Sequence, residues 1–175
     1  MAVPTGTASL LDIQNEFGGS NPIGLNEYYG AAAGVPTSGT ISINNLRGKA
    51  NVFIFSVTGS VQYANLNTLA SNAGWDGSKP VTCTINSGVW LYSNSTGTAG
   101  LTIGSFPGGL TLANYGYIIG MGGNGSYSGS GAGGGVGLYN TSTGVTIQNY
   151  SYIAGGGGGG SGAWTNATRS GGGGG

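Results

Sequence analysis

The chain has 175 residues, 41 of them glycine, with four basic and four acidic side chains, one cysteine and no histidine. A formal net charge of zero leaves no basic footprint for nucleic acid or anionic lipid. A single cysteine excludes an intrachain disulfide framework and a cysteine zinc cluster, and the lack of histidine removes the commonest general base and transition-metal ligand.

Ser9-Leu10-Leu11-Asp12 reads as a capping box, and Leu10, Ile13 and Phe17 share one face of the helix it opens. Gly18-Gly19 stops that helix, Ser20-Asn21-Pro22 predicts a turn, and Asn26 to Gly30 predicts a second short element. Thr40 to Ile43 alternates like a strand. Residues 1–50 thus form a small mixed module, too short for a large core and expected to pack on another chain or on the β-rich remainder of this one. The start, Met1 to Thr7, has neither a basic n-region nor an apolar h-region, so no signal peptide is expected. No apolar run approaches the roughly 20 residues of a membrane span, so no membrane insertion is expected.

Residues 51–175 read as a β-rich domain that ends in glycine. Asn51 to Val57, Val81 to Ile85 and Val89 to Tyr92 are strand-like. Between them Leu66, Leu69 and Ala70 fit one helical turn, so the stretch from Tyr63 to Ala73 stays open between helix and strand. Cys83 falls on one face of its strand and reads as a buried structural thiol. Gly109-Leu-Thr-Leu-Ala-Asn-Tyr-Gly-Tyr-Ile-Ile-Gly120 then returns, 35 residues on, as Gly144-Val-Thr-Ile-Gln-Asn-Tyr-Ser-Tyr-Ile-Ala-Gly155. Gly88 to Ser93 reads as a degenerate first copy of the same start. Strands recurring with an asparagine at the same corner suggest stacked rungs, in a solenoid or a sandwich, with Tyr115, Tyr117, Tyr150 and Tyr152 laddering as structural residues.

Each copy runs into glycine: Gly120 to Gly137 after the first, Gly155 to Gly160 after the second, and Gly171 to Gly175 at the end. Only 10 of the 41 glycines precede Trp75, and residues 80–168 carry no charged side chain. A flexible linker would need a further domain on its far side. A phosphate cradle matches Gly120-Met-Gly-Gly-Asn-Gly125 formally, but no helix pattern or acidic residue comes after it. Ordered polyglycine in the extended helix with three residues per turn fits better: its N–H and C=O groups point outward and must pair with neighbouring chains, which only glycine lets approach closely.

The modules "NYGYIIGMGGNGS" and "NYSYIAGGGGGGSGAW" resemble the glycine-rich segments of bacteriophage tail-fibre and tail-tip adhesins. The stretch from Asp12 to Lys49 is similar to a segment at the start of phage tail and fibre proteins. The two likenesses cover roughly residues 10–50 and 74–175. They imply a mainly β virion protein of the phage tail, with residues 1–50 attaching to other tail or fibre subunits and a polyglycine-II-like tip whose loops contact a host cell-surface protein or glycan. Fibre architecture implies, by analogy, a homo-oligomer and a trimer.

Within that frame Tyr127, Tyr139 and Trp164 are the candidate receptor-binding aromatics, each among small polar residues where a ring offers contact area at little entropic cost. Asn124, Asn166 and Arg169 are candidate hydrogen-bonding neighbours; packing on the lattice ends, or plain solvation, is the competing reading of all six. The four acids, Asp12, Glu16, Glu27 and Asp76, form no acid/base pair near the glycine half, and an acidic helix start is accounted for by the helix dipole. The expectation is therefore no enzyme, no catalytic residue, no metal and no cofactor. The alternative function is a purely structural tail or baseplate protein whose glycine strands join subunits; a silk-like matrix protein fits the composition but not residues 1–50.

Overall fold

The computed structural model describes residues 2–32 and 34–162, and the chain divides into two compact units, the first ending at Phe53 and the second beginning at Ile54. In the first unit, α1 (Leu10–Phe17) starts on a reciprocal capping box. Ser9 Oγ accepts the N–H of Asp12 at 3.2 Å, and the Asp12 carboxylate accepts the N–H of Ser9 at 2.7 Å. Gly18, at φ +76°, ends the helix. A 3-10 turn, Leu25–Tyr28, and the short α2 (Ile43–Leu46) come next. Val3, Ile13, Tyr28, Val35 and Leu46 close a small core, with Leu10, Phe17, Ile23 and Leu25 packed around it.

The strand expected over Thr40 to Ile43 does not form. Ser42 instead donates its N–H to Asn45 Oδ1 at 2.8 Å, and Ile43 opens α2. Among the described residues no strand lies beside this stretch, so a local side-chain cap wins over alternation that has no ladder to join.

The second unit is a parallel β-solenoid. Each turn of the chain lays one strand in each of three sheets. β1 (Phe53–Val57), β2 (Val61–Gln62) and β3 (Ala64–Asn65) begin it, succeeded by α3 (Leu66–Asn72). The second turn is β4 (Val81–Ile85), β5 (Trp90–Tyr92) and β6 (Leu101–Thr102), and the third is β7 (Leu110–Asn114), β8 (Tyr117–Ile119) and β9 (Leu138–Tyr139). A fourth opens with β10 (Val145–Asn149) and β11 (Tyr152–Ala154). The sheets run β1-β4-β7-β10, β2-β5-β8-β11 and β3-β6-β9, with every recorded strand pairing parallel.

Inward positions form apolar columns: Val81, Leu110 and Val145; Cys83, Leu112 and Ile147; Leu91, Ile118 and Ile153. Cys83, Leu91, Leu112 and Ile118 are fully buried, whereas Ile147 in the last turn is 38% exposed. The asparagine corner is a ladder. Asn114, fully buried, donates from Nδ2 to Asn149 Oδ1 at 2.7 Å and to the Tyr152 carbonyl at 3.2 Å, while its Oδ1 accepts the Gly116 N–H at 3.1 Å. Beside it Tyr115 stacks on Tyr150, with centroids 4.7 Å apart, and Tyr117 on Tyr152 at 5.6 Å.

The alignment of Gly88 to Ser93 with the start of each repeat is corrected by the register. Val81–Ile85 is the strand beneath Leu110–Asn114, and Trp90–Tyr92 lies beneath Tyr117–Ile119. Ile85 occupies the corner where the later copies have asparagine, which hid the true first copy.

Candidate functional site

The glycine runs leave the solenoid between β8 and β9 and again after β11, and they bond to one another. The N–H groups of Gly120, Gly123 and Ser126 donate to the carbonyls of Ala154, Gly157 and Gly160 at 2.9, 2.8 and 3.0 Å. Those of Ala132 and Gly135 donate to Asn124 and Met121 at 2.8 and 2.7 Å. Those of Gly156, Gly159 and Gly162 donate to Gly135, Ala132 and Gly129 at 2.8, 2.8 and 3.1 Å.

Donors recur every third residue on each segment. A β-ladder recurs every second residue; a period of three is that of an extended helix with three residues per turn and no internal bonds. The run 120–126 lies parallel to 154–160, and 129–135 lies antiparallel to both, because its partners' numbers fall as its own rise.

The same period of three decides where glycine is required. A Cβ at Gly131, Gly134 or Gly137 would collide with the carbonyls of Gly159, Gly156 or Ala154, and one at Gly156, Gly159 or Gly162 with those of Met121, Asn124 or Tyr127. At Gly133 a Cβ would meet nothing within 4 Å, and at Gly122 and Gly158 its nearest neighbours lie at 3.7 and 3.9 Å. Close approach between the segments therefore fixes one residue in three, Gly135 being hemmed in separately by the Thr96 backbone at 2.9 Å, and larger side chains such as Met121 and Val136 occupy other positions.

Residues 120–137 thus form a hairpin of two glycine segments whose turn is Tyr127-Ser128. Gly129, at φ +126°, swings the chain back and pairs with Gly162 in an antiparallel bridge. The glycine period that runs through Gly120 and Gly123 breaks at Ser126, and the turn begins. Tyr127 is 78% exposed, the most open large hydrophobic side chain of those described. Asn124 stands three residues before it on the outgoing segment and is exposed, with its carbonyl held by Ala132.

Tyr139 is exposed too, but it lies in β9 at the foot of the returning segment. At roughly 3.1 Å per residue, the segment between sets it about 30 Å from the turn. Of the candidate residues, then, Asn124 and Tyr127 share the distal end of the outgoing segment, about 9 Å apart along it, and Tyr139 does not. Trp164, Asn166 and Arg169 lie outside the described residues. Sequence reasoning passed over Ser128 and Ser130, which complete the turn; its signal was the cluster of non-glycine residues interrupting a glycine every third position.

The surroundings are electrostatically plain. From Ile54 to Gly162 the charged side chains are Asp76 and Lys79, 3.6 Å apart. The N–H groups of Ser78 and Lys79 hold the Asp76 carboxyl down to about 2. Burial pushes the Cys83 thiol up to about 12, so it is no nucleophile. No group of three His, Cys, Asp or Glu placed to hold a metal occurs among the described residues.

No curated protein matches the sequence significantly. Among solved structures, one in the gp37-gp38 adhesin tip complex of the bacteriophage S16 long tail fiber matches with a TM-score of 0.55 at 24% identity. The match covers 94% of this chain and 60% of that one, so this chain spans about three fifths of its solved counterpart. At that identity the likeness carries the fold. A family model, phage tail fibre adhesin Gp38, matches residues 52–175. It takes in residues 52–73, which the sequence resemblance left unassigned, and leaves out residues 1–51. Matching well over half of its residues, that model makes this chain a member of the phage tail fibre adhesin Gp38 family, a component of the virion tail.

Proposed function

We propose that this chain recognises the surface of the host bacterium through the turn of its glycine hairpin, with the solenoid as a rigid mount. The observation that carries this reading is Tyr127, exposed at the end of a hairpin whose two arms are tied by backbone bonds to each other and to a third segment. A backbone held this way loses little freedom on binding, and a tyrosine adds only two side-chain torsions to order, so more of the contact energy survives as affinity. The ligand is a host cell-surface protein or glycan, and Asn124 hydrogen-bonds beside the ring. Trp164, Asn166 and Arg169 belong to the same recognition set. The chain acts by binding and carries no catalytic step.

Residues 1–50 are the attachment module of this reading. The structural match covers more of the chain than the second unit supplies, so the likeness reaches into the first. The solved counterpart is a complex of two tail-fibre proteins, and attachment to another fibre subunit is the role proposed for this module. Assembly as a homo-oligomer, a trimer by analogy with fibres, belongs to the same proposal.

Competition tests the function. Purified protein, added to cells of the bacterium that the phage infects, should reduce adsorption of the phage in proportion to surface occupancy. Undiminished adsorption at saturating protein, with the protein folded, would favour the alternative in which the glycine segments only join subunits.

A further inference from the structure

We infer that the outer face of the second sheet, where β2 meets β5, is a binding site for an uncharged glycan, separate from the hairpin turn. Trp90, Tyr117 and Tyr152 form one outward column on β5, β8 and β11. Trp90 stacks on Tyr117, with centroids 4.3 Å apart and planes 19° from parallel. Rings inside such a ladder have both faces covered by their neighbours. Trp90 is the first ring: one residue before the Val61–Leu91 pair, Ser60 Oγ accepts the backbone N–H of Trp90 at 3.0 Å. A serine side chain has no ring to stack on the indole, and Trp90 is 47% exposed.

The neighbouring column repeats the step, with Gln62 on β2 beneath the exposed Tyr92 on β5. The sheet surface therefore changes from two large rings to the ringless polar side chains of Ser60 and Gln62 between one turn and the next. Tyr63 stands at the edge of this step, half-exposed, with its hydroxyl bonded to Asn94 Oδ1. It is the only non-glycine residue with positive φ among those described, at +53°. A left-handed backbone is unfavourable for tyrosine, and such outliers gather where the surface is used.

An exposed indole, a second ring beside it, and the neutral hydrogen-bonding groups of Ser60, Gln62 and Asn94 suit a pyranose. Its C–H face stacks on the aromatic ring while its hydroxyls bond amides and hydroxyls. No charged side chain lies on these columns, so an uncharged sugar is favoured over a phosphorylated or acidic one, which would find no cation.

The test is binding of the intact protein to an immobilised panel of uncharged linear hexasaccharides, with anionic polysaccharides on the same panel. The result expected is binding to at least one neutral member, weakened about tenfold or more by Trp90→Ala. Ser60→Trp should abolish it, because that change extends the ladder over the open face, while an unchanged melting temperature shows the fold intact. Tyr63→Gly removes the backbone strain and should weaken binding without loss of stability. No binding to any neutral glycan, preference for the anionic ones, or binding indifferent to Trp90→Ala and Ser60→Trp would overturn the inference. Loss with Tyr127→Ala alone would overturn it too, assigning the sugar to the hairpin turn.

Discussion

Two buried side chains show how single residues fix this solenoid. Asn114 is a polar group inside an apolar stack, tolerated because its amide makes three hydrogen bonds to Asn149, Tyr152 and Gly116. Asn114→Ala leaves those partners unsatisfied, and at about 1 to 3 kcal/mol for a stranded buried group the variant should lose on the order of 3 kcal/mol in urea unfolding. Cys83 supplies a pH dependence. Its folded pKa is raised to about 12 from an ordinary value near 9.0, so above the unfolded value the unfolded chain releases a proton that the folded chain keeps. The stability this thiol contributes is complete below about pH 9 and is lost as pH rises toward about 12. Cys83→Val should flatten the alkaline limb of the melting curve relative to the unaltered protein. The native thiol should also resist alkylation at neutral pH. For Asp76, depressed to about 2, the sign is opposite: its contribution holds above the unfolded value and goes as pH falls through the folded one.

Elements differ in how openly the sequence announces them. The capping box of α1 and the five-residue strands β4, β7 and β10 carry their own periodicity, and the Asn-Tyr corners of β7 and β10 give their register. The two-residue strands β3, β6 and β9 are too short to show any alternation. They exist because closing each turn of the solenoid brings them together, and that tertiary fact cannot be read locally. Thr40 to Ile43 errs the other way, with alternation but no partner. The glycine runs sit between: their composition pointed to backbone pairing, but which glycines are indispensable depends on the packed neighbours. Gly134→Ala drives a Cβ into the Gly156 carbonyl, whereas Gly133→Ala meets open space. The first should destabilise the hairpin by about 1 to 3 kcal/mol or more; the second should be neutral or stabilise by about 0.4 to 1 kcal/mol. Limited proteolysis at the Tyr127-Ser128 turn reads the difference, with early cleavage in Gly134→Ala alone.

Taken whole, the second unit is quasi-one-dimensional, each turn stabilised by the turns above and below it. Among the described residues the third turn has neighbours on both sides, while β10 and β11 have one, and Ile147 shows the core opening at that end. Amide exchange should therefore be slowest in β7 and β8 and faster in β10 and β11; uniform protection across the turns would contradict the independent-turn picture. Such a mount suits adhesion, since a stiff stack passes little entropy loss to the groups at its end. The central claim is that the hairpin turn touches the host, and it is tested by the binding of labelled intact protein to host cells, unaltered and as Tyr127→Ala. The account predicts that Tyr127→Ala, with its melting temperature unchanged, binds at least about tenfold more weakly, the worth of one anchoring ring. Equal binding by the two proteins would contradict it.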